Sequence, residues 1–226
     1  MSKALCATIF LMKEQYFMAD TIQTLSDQWI KEYANPIKMG AHPFDIDKAA
    51  LLILDMQRYF LDRESHAYIP SAKVILAGLN QAAGFFRSRS RPVIATRHMN
   101  NAENAGMMGS WWSELITEDH ALFDLDPDLE IHQEEILNKP QYDAFYLSDL
   151  QVILEQNQVD QLVIGGVMTH LCCETTARSA FVRGYEVFFL VDGTATYNRA
   201  YHEATLQNLG HGFAVLSTID TLISED

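Results

Sequence analysis

The chain has 226 residues, of which 48% are hydrophobic and 20% charged, with a formal net charge of −14 at pH 7. That length suits one sizeable α/β domain and is short for two, and the apolar fraction excludes a disordered chain. The acidic balance argues against nucleic acid as a partner, because a phosphate backbone is held by clustered Lys and Arg, and it favours a small molecule.

In chain order, Ala4 to Met12 form an apolar run after Lys3. The run carries no small-residue cleavage site, and Lys13-Glu14 end it well short of a membrane span, so no membrane partner is expected. Met18-Ala19-Asp20 reads equally well as a start of translation, which would leave residues 1–17 outside the native protein. Between Asp20 and Asn35, the residues Ile22, Leu25, Trp29 and Tyr33 recur at helical spacing, and Pro36 closes the pattern. This predicts one helix in an N-terminal extension, residues 1–44, lying outside the catalytic core. The apolar area of Trp29 and Tyr33 suits packing on the domain or on a neighbouring subunit, and the helix is expected to help build a contact in a homo-oligomer, a dimer or tetramer.

Residues 45–226 make the main domain. Its first strand, Ala49 to Leu54, is a continuous apolar run suited to a sheet covered on both faces, and Asp55 ends it. Ser71 is placed to cap a helix whose buried stripe is Ile75, Leu79, Ala82 and Phe86, followed by a strand from Val93 to Thr96. A long loop from His98 through Trp111 and Trp112 to about Asp128 has the length typical of functional loops. A short strand at Glu135 to Leu137 leads to Lys139, and Ser148-Asp149-Leu150-Gln151 reads as a capping box opening the next helix. A strand at Gln161 to Gly165, a helix to Arg183, a strand at Glu186 to Val191, a helix at Asn198 to Leu209 and a strand at Phe213 to Leu216 follow. The fold class is therefore α/β, three layers (α/β/α), with a mainly parallel, Rossmann-like sheet and helices on both faces. No repeat interrupts it.

The stretch Val163-Ile164-Gly165-Gly166-Val167-Met168-Thr169-His170-Leu171-Cys172-Cys173 is a buried strand that breaks into a helix, with two thiols at the break. Open α/β sheets hold ligands at the carboxyl ends of their strands, and a thiol at a helix N-terminus is expected to have a lowered pKa. Core packing is the alternative role for both thiols, since free Cys is among the most buried residue types. If Cys173 opens the helix, it shares the small apolar face of Thr176, Ala177 and Ala180, while Cys172 sits in the bend and points elsewhere. Three cysteines, two of them adjacent, do not make a disulfide framework and fit a reducing, cytoplasmic compartment. Cys6 lies outside every motif, and Asp192, before Gly193, suits a turn.

From Gly166 to Cys172, with Thr175-Thr176-Ala177 and Gly184-Tyr185-Glu186-Val187 beyond, the chain resembles the isochorismatase-like hydrolases. The resemblance includes Leu51-Leu52-Ile53-Leu54-Asp55-Met56-Gln57 with Phe60, and Lys139 with Tyr142, Ala144 and Phe145. It implies a catalytic triad of Asp55, Lys139 and Cys172, with Cys172 as nucleophile. It also implies a cis peptide between Val167 and Met168 that aims backbone N–H groups, that of Cys172 included, at an oxyanion. The reaction expected is cleavage of a small amide or related C–N bond through a thioester. Metal-using nicotinamidases of this family carry an Asp-x-His-x-x-x-His type of cluster after the second strand. Here Thr96-Arg97-His98-Met99-Asn100 offers one histidine, with His120 far along the loop, so no metal and no other cofactor are expected. The alternative within the family is isochorismatase-type vinyl ether hydrolysis, which releases pyruvate, needs an Asp acid and a Lys, and uses no thiol. His170 and Thr175-Thr176-Ala177 resemble that branch more closely. A thiol redox pair at Cys172-Cys173 or a silent assembly domain stand further off. Gln57, Phe60, His98, Trp111, Trp112, Tyr142 and His170 are the candidates for substrate contact.

Overall fold

The run from Ala49 to Leu54 has no polar side to turn to water, so as a strand it belongs in the middle of a covered sheet. In the computed structural model, which describes residues 13–224, β1 (Ala49–Leu54) is buried at every position. It pairs in parallel with β2 (Val93–His98) on one side and β4 (Gln161–Val167) on the other. With β3 (Ile136–Lys139), β5 (Glu186–Ala195) and β6 (Val215–Ser217), the order is β3-β2-β1-β4-β5-β6, and every pair is parallel. The expected α/β class is the observed one. Because β1 has later strands on both sides, the order reverses there, and the ends of β1 and β4 open onto the crevice where such sheets bind ligands.

The helices are α1 (Ile22–Tyr33), α2 (Pro36–Ala41), α3 (Arg58–Leu61), α4 (Leu76–Ser88), α5 (Met108–Trp111), α6 (Leu150–Gln156), α7 (Glu174–Val182), α8 (Arg199–Gly212) and α9 (Ile219–Ser224). Two local expectations fail for a shared reason: each capping side chain has another partner. Ser71 Oγ accepts from the Tyr16 N–H at 3.2 Å, and α4 is entered through a 3-10 turn, Ala72–Ile75. Ser148 Oγ accepts from Leu150 N–H at 3.3 Å, while Gln151 turns to Glu155 at 2.8 Å, so the box does not close. Asp192 does cap: its carboxylate accepts the N–H of Ile219, the first residue of α9, at 3.0 Å.

The N-terminal extension differs from expectation more deeply. It holds two helices, the second started by Pro36 and capped by the Asn35 side chain. Trp29 is fully buried within its own chain, stacked on His202 with ring centroids 4.4 Å apart and donating from Nε1 to Glu203 at 3.0 Å. Of the two placements expected for α1, on the domain or on a neighbouring subunit, the structure shows the first: α1 packs on α8 and β5. Tyr16 and Phe17, which a start at Met18 would omit, belong to the same cluster: Phe17 is buried, and Tyr16 hydroxyl lies 2.9 Å from His202 Nδ1. The apolar run Ala4 to Met12 and Cys6 lie outside the described residues.

Burial pushes the His202 pKa down to about 3. Between that value and an ordinary His pKa of about 6.5 the unfolded chain binds more protons, so stability is full above this window and falls as pH falls through it. His98 and His170, each pushed down to about 4 by burial, act in the same direction. Thermal melts should show Tm dropping as pH is lowered from neutral into this window, and the drop should be shallower in His202→Gln.

At the level where β1 ends, Leu54 pairs with Gly166, whose φ is +105°. A Cβ at Gly166 would stand 2.1 Å from the Leu54 carbonyl oxygen. Gly166→Ala should cost on the order of 3 kcal/mol in denaturant melts, from overpacking and left-handed strain together. Gly84→Ala, in α4 with open space around the new methyl, should gain up to about 1 kcal/mol.

Candidate active site

Three strand ends supply the polar centre. Asp55 follows β1 in a left-handed conformation, φ 53°, and its N–H donates to the Thr96 carbonyl at 3.1 Å. Thr96 on β2 returns the contact, its hydroxyl donating to Asp55 Oδ1 at 2.6 Å. Lys139 is the last residue of β3, with a fully buried side chain. Its Nζ lies 2.7 Å from Asp55 Oδ2, 2.9 Å from the Gln141 carbonyl and 3.4 Å from Cys172 Sγ. An ammonium has three N–H donors, and all three are engaged.

Cys172 lies in a π-helical turn, Thr169–Cys173, between β4 and α7. The two thiols face different surroundings. Cys173 is fully buried in the hydrophobic core, with Sγ 3.9 Å from the Gly165 carbonyl, whereas Cys172 lines a cavity of about 300 Å³. The expectation of a lowered thiol pKa is overturned. Burial first, and then the negative Asp55 carboxylate, push the Cys172 thiol above its ordinary value, against the pull of the Lys139 ammonium. Desolvation outweighs the helix-terminus effect because the Cys172 side chain is buried and α7 begins only at Glu174. The group at rest is thus a thiol that accepts from the Lys139 ammonium at 3.4 Å. Burial also opposes the Lys139 charge, but Asp55 and Cys172 outweigh it and its pKa lies above the usual range.

Phe60, His98, Trp112 and Tyr142 line the cavity with Met168 and Cys172. Trp112 Nε1 donates to the Tyr142 hydroxyl at 2.7 Å. His98 is neutral, its pKa pushed down to about 4 by burial and by the Lys139 charge. The peptide between Val167 and Met168 is cis, and the N–H of Met168 meets no acceptor among the described residues.

Three expected contacts lie elsewhere. Gln57 is consumed by backbone: Nε2 donates to the carbonyls of His98 and Phe123 at 3.1 and 2.6 Å, and Oε1 accepts from His98 N–H at 2.8 Å. It ties β2 to the long loop and lies outside the cavity wall. Trp111 is 73% exposed on the outside of α5. His170 stacks on Tyr201 at 4.3 Å and meets Thr196 Oγ1 at 2.6 Å, outside the cavity wall. Sequence reasoning missed Lys13, Tyr59, Asn100 and Tyr197, which also line the cavity. Tyr59, one residue from Phe60, carried a spacing signal; Lys13 and Tyr197 carried none. Among the described residues, no three His, Cys, Asp or Glu side chains converge as a metal centre would need.

Residues 49–221 match the isochorismatase domain, and the chain belongs to the isochorismatase family of hydrolases. Among curated relatives, nicotinamidase 3 of Arabidopsis thaliana is 41% identical over 184 residues, covering 77% of this chain and 86% of that protein. Enterobactin synthase component B of Escherichia coli is 30% identical over 73% of this chain, which spans 58% of that longer protein. Among solved structures, a cysteine hydrolase from Pseudomonas syringae superposes with a TM-score of 0.77 at 22% identity, over 81% of this chain and 94% of its own. N-carbamoylsarcosine amidase from Thermoplasma acidophilum gives 0.68 at 20% identity, over 76% and 97%.

Removing one member of a buried ion pair leaves the other charge without compensation. Lys139→Met should therefore destabilise the fold by about 3–5 kcal/mol in denaturant melts. Adding Asp55→Asn should recover part of the loss, because the stranded carboxylate goes too.

Proposed function

We propose that this hydrolase cleaves a small amide through a thioester on Cys172, with Asp55 as the proton carrier and Lys139 as the charge that holds both. The observation that carries this is the contact set of one ammonium: Lys139 touches the Asp55 carboxylate and the Cys172 sulfur together, and that sulfur faces a mostly apolar cavity. As substrate enters, Asp55 takes the thiol proton and the thiolate attacks the carbonyl carbon. The oxyanion that forms meets the unengaged Met168 N–H, with the Cys172 N–H as the second donor. The tetrahedral species collapses, the C–N bond breaks, and Asp55 passes its proton to the departing nitrogen, which leaves as ammonia. Water then attacks the thioester while Asp55 takes its proton, and the thiol leaves reprotonated, giving a carboxylic acid. Every step uses side chains and backbone of this chain, and the relative named a nicotinamidase supports an amide as substrate.

Vinyl ether hydrolysis would use the Asp55–Lys139 pair as acid and leave the cavity-lining thiol without work, so the amide reaction takes first place. No helix among the described residues is long and apolar enough to cross a membrane. Apolar side chains at Leu147 and Val182, 69% and 78% exposed, support a homo-oligomer better than α1 does.

Nicotinamide heads the panel of amides to assay for ammonia release, with pyruvate release from isochorismate measured alongside. With the amide that turns over, Cys172→Ser should lose activity on the order of a thousandfold or more, since the nucleophile and its proton path form one unit. Cys173→Ser should keep most turnover and lose about 1–3 kcal/mol of stability, because a buried hydroxyl replaces a core thiol. Prior treatment with a chelator should leave the rate intact. Pyruvate release at full rate from Cys172→Ser would replace the amide mechanism with the isochorismate one.

A further inference from the structure

The segment just upstream of α1 reaches the cavity from outside the isochorismatase domain. Glu14 N–H donates to the Tyr197 carbonyl at 2.8 Å, and the Glu14 carboxylate accepts the N–H of Arg199 at 2.8 Å. Tyr16 hydroxyl accepts the N–H of Thr196 at 3.0 Å. These bonds pin residues 13–17 across the connection from β5 to α8 and set Lys13 in the cavity wall. Its ammonium donates to the His66 carbonyl and stands 4.8 Å from the centre of the Tyr197 ring. No carboxylate pairs with it among the described residues. Burial lowers its pKa, as follows for an ammonium taken partly out of water without a counter-ion.

Tyr197 lines the same wall, and its hydroxyl has no hydrogen-bond partner among the described residues. The one carboxylate in the lining, Glu114, faces His66 Nδ1 at 3.0 Å and His120 Nε2 at 3.9 Å. Next to each other, then, are an ammonium whose acceptors are a neutral carbonyl and a ring face, and a phenol with a free O–H. A carboxylate would take charge-assisted hydrogen bonds from both, roughly twice as strong as neutral ones. A neutral ligand would leave the ammonium as it is.

We propose that Lys13 and Tyr197 form a carboxylate subsite, and that the substrate is a small amide bearing a carboxylate away from the carbonyl that Cys172 attacks. This rests on the thiol reaction above and adds the substrate's charge to it. Lys13 lies outside residues 49–221 and Tyr197 within them, so the subsite joins this chain's extension to the family domain.

Two pairs of thiol reagents, matched in shape and differing in charge, serve as probes. Iodoacetate is compared with iodoacetamide, and 3-maleimidopropionate with N-ethylmaleimide, the second pair holding its charge further from sulfur. Alkylation of Cys172 is followed by peptide mapping in the full-length chain, and the quantity read is the ratio of charged to neutral rate within each pair. Lys13→Met should lower that ratio about tenfold for at least one pair, Tyr197→Phe should lower it by about threefold, and Lys13→Arg should restore it. Ratios that are the same in wild type, Lys13→Met and Tyr197→Phe would overturn the subsite while leaving the thiol reaction standing. A chain whose Cys172 neither member of either pair modifies would overturn the thiol reaction, and the subsite falls with it.

Discussion

A lysine ammonium with no exposure to water, held 2.7 Å from a carboxylate and 3.4 Å from a thiol, is the arrangement on which the rest of this molecule depends. Taking an ammonium and a carboxylate out of water costs several kcal/mol per ion, and their attraction offsets this only when the geometry is good and the remaining hydrogen bonds are made. Here they are: Thr96 and the Gln141 carbonyl complete the two charges. The pair is a poor way to stabilise a fold and an effective way to fix an ammonium and a carboxyl group beside a sulfur. The same burial that would be a liability elsewhere pushes the Cys172 thiol above its ordinary pKa.

The parallel sheet places these groups. Asp55, Lys139 and Cys172 come from segments more than thirty residues apart in sequence, yet each follows or ends a strand whose carboxyl end opens on the same edge. β1 lies between β2 and β4, so Asp55 sits at the reversal of strand order, with the Cys172 turn beside it and Lys139 reaching in from β3. Gly166 lets β4 lie against the backbone of Leu54 where no Cβ would fit, which levels the two strand ends. The hydrolase assignment therefore rests on topology as much as on residue type.

Much of this was legible in the chain. Continuous apolar runs such as Ala49 to Leu54 suit strands covered on both faces, and the family resemblance grouped Asp55, Lys139 and Cys172. The thiol pKa was not legible, because helix-terminus reasoning sees the local backbone and not the burial of the side chain by the surrounding fold. Trp29 misled for a related reason: an amphipathic helix signals an apolar face without saying what covers it, and the cover proved to be His202 on α8. Gln57 and His170 sit in the motif but spend their polar atoms on backbone and on Thr196. Lys13 reaches the cavity, beside Tyr197 on the connection from β5 to α8, only through tertiary packing of the extension, and no periodicity in sequence encodes that contact.

The central claim is that a covalent acyl group resides on Cys172 during turnover. Its most direct test is intact-protein and peptide mass measurement on enzyme quenched by acid while it turns over an amide substrate. A mass increase equal to the acyl part of the substrate, on the peptide carrying Cys172 and absent in Cys172→Ser, is the predicted result. Steady turnover with no adduct on that peptide, accompanied by undiminished activity in Cys172→Ser, would contradict the account.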